Sequence, residues 1–136
     1  MSIDIEKDER YLLSYTFYGD NLPLNELADI LNVDPESIEV KGMHRKNNPS
    51  FIINDTNYWS SPILKGYKPE DFYTAIENIL ANFSKKEDYL LDLVNNKGVK
   101  IDFSVTFTGG PCVTELLLPS FWKEFDIYKI TFRLSS

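Results

Sequence analysis

The stretch Val99–Gly110, VKIDFSVTFTGG, constrains this chain more than any other. Val99, Ile101, Phe103, Val105 and Phe107 are apolar, while Lys100, Asp102, Ser104, Thr106 and Thr108 between them are polar. Successive side chains of a strand point to opposite faces, so this alternation predicts a strand with one dry face and one wet face. Gly109-Gly110-Pro111 then stops it, because that triplet favours a turn over a continued ladder. A chain built on such a strand needs other elements to cover the dry face.

The rest of the sequence supplies them. Arg10–Tyr18 alternates in the same way, with Leu13, Tyr15 and Phe17 on one face and Leu12, Ser14, Thr16 and Tyr18 on the other. Gly19-Asp20-Asn21 ends it. Over Leu24–Leu31 the apolar spacing becomes helical, with Pro23 at the entrance, where its missing N–H costs nothing. Ser37–Lys41 reads as a short strand. Phe51–Ile53 and Asn57–Pro62 read as a hairpin turning at Asn54-Asp55-Thr56-Asn57. Pro69 opens a long helix whose stripe is Phe72, Ile76, Ile79, Leu80 and Phe83. Ser84-Lys85-Lys86-Glu87 matches a capping box and predicts a second helix with Leu90, Leu91, Leu93 and Val94 inward, closed by Gly98. Val113–Phe125 reads as a short helix that Pro119 interrupts, and Ile127–Leu134 as the last strand.

The order is therefore β-α-β-β-α-α-β-α-β. It predicts an α+β, two-layer domain: a mainly antiparallel sheet of about five strands, helices on one face, in part ferredoxin-like. With 136 residues and neither repeat nor linker, one domain over 1–136 is expected, with residues 1–9 frayed.

The chemistry-bearing residue types are scarce. One cysteine, Cys112, excludes an internal disulfide, and with a single histidine no His/Cys zinc site can be assembled within the chain. No metal or cofactor is expected. His44 sits in a basic loop with Lys41, Arg45 and Lys46, whose charges oppose a bound cation. Ser120-Phe121-Trp122-Lys123 places a lysine one helical turn from a serine but lacks companion motifs, and no phosphate loop is present. The pairs Glu70-Asp71 and Glu87-Asp88 fall at helix starts, where the dipole already accounts for them. No catalytic residue is assigned.

Charge narrows the partners. The formal net charge is −7, and residues 1–40 carry ten acidic and two basic side chains against eleven and twelve in the remainder. An acidic N-terminal third repels nucleic acid and anionic membranes and suits a basic protein. No apolar run is long enough to span a bilayer and the start is charged, so a cytoplasmic protein is expected. The first reading is a non-enzymatic binding or accessory protein working by surface contact, in a specific form an immunity-type protein masking a basic toxin. The alternative is a small-ligand-binding protein or enzyme with a cleft where the turns Tyr18–Asn21 and Gly109-Gly110 meet. Tyr18, Asp20, Asn21, Gly109 and Gly110 are its candidate residues, and Trp59 beside Tyr58 is a candidate aromatic anchor. Monomer and homodimer through a sheet edge both remain open.

Tyr18-Gly19-Asp20-Asn21-Leu22 before a Leu-rich helix, Tyr58-Trp59, the helix pair, the strand running into Gly109-Gly110, and Phe125-Asp126-Ile127-Tyr128 together resemble the bacterial domain-of-unknown-function family 4279. The resemblance covers roughly residues 12–130. It implies small stand-alone cytoplasmic proteins of bacteria without an assigned activity.

Overall fold

The computed structural model describes residues 11–45, 53–66, 69–107 and 122–135. Six strands and four helices follow in the order β1 (Tyr11–Gly19), α1 (Leu27–Leu31), β2 (Ser37–Glu39), β3 (Asn57–Ser60), β4 (Leu64–Gly66), α2 (Pro69–Ser84), α3 (Glu87–Asn96), β5 (Lys100–Phe107), α4 (Trp122–Ile127) and β6 (Thr131–Ser135). They form one sheet in the order β2-β3-β1-β5-β6, with β4 also on β1. The β1–β3, β1–β4, β1–β5 and β2–β3 pairs are antiparallel, and β5–β6 is parallel. Because β3 lies between β1 and β2, and β5 lies on the other side of β1, the strands β1, β2, β3 and β5 have the split β-α-β arrangement of a ferredoxin-like domain. This is the α+β, mainly antiparallel architecture that the alternation predicts.

The sheet centre is the eight-residue ladder between β1 and β5, from Tyr11 beside Phe107 to Tyr18 beside Lys100. Its dry face carries Tyr11, Leu13, Tyr15 and Phe17 from β1 and Ile101, Phe103 and Val105 from β5, all buried. Helix α2 lays Phe72, Ile76, Ile79, Leu80 and Phe83 over them, and α3 adds Leu90 and Leu93. Phe83 is the hub of this layer. Its ring lies 5.4 Å from Tyr15, 5.7 Å from Phe17, 6.1 Å from Phe103 and 5.8 Å from Tyr128, each edge to face. That geometry sets the positive edge of one ring against the negative face of the next. Across the helices, the Tyr89 hydroxyl donates to the Glu26 carboxylate at 2.9 Å. Burial, and after it that carboxylate, push the Tyr89 phenol up to about 12.

Local chemistry moves several boundaries. The sequence pattern reads Asn57–Pro62 as one strand. In the structure it stops at Ser60 as β3, short of Pro62, which has no N–H to give to a ladder, and a further strand that the pattern does not predict, β4, follows at Leu64–Gly66. Ser61 bridges the break: its N–H donates to the Tyr15 carbonyl at 2.9 Å, and its Oγ accepts the Tyr15 N–H at 2.9 Å. The hairpin expected between Phe51–Ile53 and Asn57–Pro62 is replaced. Ile53 bridges to His44, and β3 pairs with β1 and β2. The expected capping box does not form either. Helix α3 starts after Lys86, and no side chain caps its first turn. Gly98 does take the left-handed conformation (φ +68°), and the Val99 N–H beyond it reaches the Leu93 carbonyl at 3.0 Å.

The last strand begins at Thr131, not Ile127. Residues 122–127 are helical, and Lys129 (φ +54°) turns the chain so that the Ile130 N–H caps the Phe125 carbonyl at 2.8 Å. Gly19 (φ +152°) ends β1 against β5. A Cβ there would lie 3.2 Å from the Val99 Cα and 3.3 Å from the Gly98 carbonyl oxygen. The N-terminal residues 1–9, the Gly109-Gly110 turn, Cys112 and the first part of the Val113–Phe125 helix lie outside the described residues. Among the described residues no helix is long and apolar enough to cross a membrane.

Replacing Phe83 by Ala removes the ring on which four others rest. The expected loss is about 3–5 kcal/mol of unfolding free energy, the usual range for a fully buried aromatic, read by urea denaturation. A loss below about 1 kcal/mol would show that the layer does not depend on this ring.

Candidate functional site

The helix-free face of the sheet is not flat. One row of paired residues crosses it as Ser37 (β2), Ser60 (β3), Thr16 (β1), Asp102 (β5) and Thr131 (β6). The next row runs Glu39, Tyr58, Tyr18 and Lys100. On the other side Ser104 pairs with Arg133. Short hydroxyl side chains in the middle row, with tyrosines along one side and an arginine on the other, leave a trough. It encloses about 570 Å³ and is lined by these residues, Thr131 and Lys100 apart, together with Arg45. That volume falls in the usual range of small-molecule sites.

Each wall is fixed by named contacts. Thr16 Oγ1 and Ser60 Oγ share a hydrogen bond at 3.0 Å along the floor. The Tyr18 and Tyr58 rings stack with centroids 5.9 Å apart. Arg45 lies over the Tyr58 ring at 5.4 Å, within cation–π range, and the Tyr58 hydroxyl donates to Asp55 at 2.7 Å. The hydrogen bond to Asp55 is the main reason the Tyr58 phenol is pushed up.

At the opposite end, Arg133 Nε donates to Asp102 Oδ2 at 2.8 Å. Asp102 is 8% exposed, and its second oxygen, Oδ1, is buried with no hydrogen-bond partner among the described residues. Arg133 is held firmly charged by Asp102, with Tyr18 adding a weaker attraction of the same sign. A buried carboxylate oxygen without a donor is uncommon in folded proteins, and each case calls for a physical account.

The groove contains two carboxylates, Glu39 and Asp102, which the sequence alone gives no reason to bring together. They sit on strands three intervals apart and two residues apart along them, so their backbones are about 16 Å apart at ~4.8 Å per interval and ~3.4 Å per residue. Each is also anchored away from the other. Glu39 accepts from the Asn54 side chain at 3.2 Å, and Asp102 is held by Arg133 on β6. Paired glycosidase carboxyls sit roughly 5–9.5 Å apart, so this spacing suits holding a ligand and not splitting a glycosidic bond. Among the described residues no group of three or more His, Cys, Asp or Glu is placed to hold a metal ion.

The predicted site residues fare unevenly. Tyr18 lines the groove. Trp59 does not: it is completely buried on the dry face, with Phe17 at 6.0 Å, and its strand neighbour Tyr58 takes the open side. Asp20 is part of a structural knot. Its carboxylate accepts from Lys41 Nζ at 2.8 Å and Thr56 Oγ1 at 2.6 Å, and its carbonyl accepts from the Asn57 side chain at 3.3 Å. Asn21 ties the same turn to the Lys97 carbonyl at 3.3 Å. The expected meeting of Tyr18–Asn21 with the turn after β5 conflicts with the antiparallel register. Phe107 pairs with Tyr11, at the far end of β1 from Gly19. Gly109 and Gly110 themselves lie outside the described residues. Sequence reading misses Asp102, Arg133 and the hydroxyl row, because a wet strand face reads the same whether or not it binds anything.

A two-layer α+β domain with a polar trough on the sheet face that carries no helix among the described residues is the class the fold defines. Residues 9–116 match the family model described as a domain of unknown function, DUF4279, and the chain belongs to that family. The match takes in β1 through β5, hence the groove floor and the Asp102 wall, while Arg133 on β6 lies beyond it. No curated protein and no solved structure matches the chain.

The Asp20 knot gives a pH prediction. The hydrogen bond from Lys41, then that from Thr56, holds its carboxyl below the ordinary carboxylate range. A depressed folded pKa stabilises above the unfolded value, and the gain is lost as pH falls through the folded one. Carboxyl-carbon NMR titration should therefore place the Asp20 midpoint below that of exposed aspartates, and Lys41→Met should move it upward. An unchanged midpoint in the variant would show that the pair is not formed in solution.

Proposed function

We propose that this protein is a binding protein whose working surface is the groove on the helix-free face of its sheet, and that it holds a small polar ligand there. The observation that carries this reading is the buried, donor-less Oδ1 of Asp102 beside Arg133 in a trough of about 570 Å³. Leaving a buried acceptor unpaired costs about 1–3 kcal/mol. A bound hydrogen-bond donor toward which the carboxylate turns would recover that. The rest of the trough is already shaped: its tyrosines are stacked and its arginines are held by an aromatic ring and a carboxylate. Little ordering cost remains on the protein's side, which favours binding. A cytoplasmic setting fits the reading.

One further observation favours a second reading. Asp29, Asp34 and Glu36 are exposed along α1 and the turn into β2. This acidic edge suits a basic protein partner, including the toxin-masking role expected from the charge distribution. Pull-down with the wild type and with an Asp29→Lys/Asp34→Lys/Glu36→Lys variant separates the two: a basic protein lost from the variant supports it, and identical captures oppose it.

The primary reading is tested by thermal denaturation against a library of small polar metabolites. A ligand at about a hundred times its Kd should raise Tm by roughly 5–10 °C. The rise should shrink or vanish in Arg133→Met. Full-size shifts that survive this substitution, or a library without a stabilising compound, would contradict it.

A further inference from the structure

The groove's charges say which polar ligand it takes. Its lining includes two arginines, Arg45 and Arg133, and two carboxylates, Glu39 and Asp102. One arginine is neutralised in place, since Arg133 lies 2.8 Å from Asp102. An anion entering the trough meets Asp102 and Glu39, and a cation meets the arginines. A zwitterion finds no bare charge at the Asp102 end, where the pair has already closed. In a partly desolvated groove such like-charge approaches are costly.

What stays unsatisfied is hydrogen bonding. Asp102 Oδ1 lacks a donor, and beside it Arg133 keeps guanidinium N–H groups beyond those shared with Asp102 and Tyr18. An acceptor and a donor side by side fit neighbouring hydroxyls, each of which gives one hydrogen bond and takes another. The floor repeats that chemistry, because Ser37, Ser60, Thr16 and Ser104 are hydroxyls able to donate or accept. Alongside them the Tyr18 and Tyr58 rings, stacked on each other with Arg45 over Tyr58, present their edges as an apolar wall against which the C–H groups of a sugar ring can pack.

Resting on the reading of the groove as a binding site, we infer that its ligand is an uncharged, polyhydroxylated ring, a neutral monosaccharide or short oligosaccharide. The row from β2 to β5 spans about 14 Å at ~4.8 Å per strand, room for one or two sugar rings. Asp102 and Arg133 grip vicinal hydroxyls at one end. The edges of the two tyrosines flank the ring, and Glu39 accepts from a hydroxyl at the other end.

The test is an NMR titration of the nitrogen-15-labelled full chain with three sets of sugars at tens of millimolar. The neutral set is methyl glucoside, methyl galactoside and N-acetylglucosamine; the anionic probe is glucose 6-phosphate; the cationic probe is glucosamine. A neutral probe should give saturable shifts at the Thr16, Ser60 and Asp102 amides and at Arg133 Nε. Its Kd should be on the order of 1 mM, as expected for a ligand of about a dozen atoms in an open groove. Ser60→Tyr fills the trough on its exposed side with a residue strands favour, and should weaken binding at least tenfold. Its fold is checked by the unchanged dispersion of its spectrum. If only a charged sugar shifts these residues, the neutral-ligand inference is overturned and the binding-face reading stands. Silence from every sugar also overturns it, and the metabolite screen then decides the reading beneath it. Shifts unaffected by Ser60→Tyr would place the sugar outside the groove and overturn the inference as well.

Discussion

The antiparallel ladder between β1 and β5 is the constraint on which the other elements depend. It fixes eight residue pairs and, with them, which side chain of each strand faces helix and which faces water. A slip of one residue, with β1 held in place, would turn Phe103 outward and Asp102 into the core. The hydrophobic cost of burial in the wrong sense makes that slip prohibitive, so the register is strongly specified. Once it is set, α2 and α3 have one place to bury their stripes, and Phe83 can reach rings on both strands at once. The same register lines up the hydroxyls of four strands into a single row on the opposite face.

Much of this was written in the alternation. The two central strands, the stripes of α2 and α3, and the two-layer α+β class all follow from apolar spacing that tertiary context had no reason to override. The failures have local causes. The strand read as Asn57–Pro62 stops at Ser60, a second strand follows unpredicted at Leu64–Gly66, and the Ser61 side chain closes the gap between them in a way no period reveals. Ser84 matches a capping box, yet α2 runs through it as helix, so its hydroxyl is not placed to cap α3. Tyr128 belongs by pattern to the last strand. The left-handed Lys129 instead leaves it under Phe83 as the end of a helix.

The candidate site was less legible than the fold. A core announces itself because burial demands apolar residues at fixed intervals, whereas a polar groove demands only that polar residues be correctly placed across strands. Tyr58 and Trp59 show the difference. Adjacent in sequence, they read as one aromatic pair, but the pleat sends Trp59 into the core and Tyr58 to the groove. Asp20 attracted notice as a turn carboxylate, and its bonds to Lys41 and Thr56 make it a clasp. Asp102 reads as one more polar residue of an alternating strand. Only the sheet order, with β6 parallel to β5, reveals that Arg133 lies diagonally across from it, opposite Ser104. The family match covers the groove floor and leaves its chemistry to be read from the side chains.

The central claim is the division of the β1–β5 ladder into a dry face and a wet one that forms the groove. Paramagnetic relaxation by a soluble, uncharged gadolinium chelate measures it directly. Broadening should be strong at the side chains of Thr16, Tyr18, Ser60 and Ser104 and near zero at Tyr15, Phe17, Phe103 and Trp59. Comparable broadening on both sets would contradict the account.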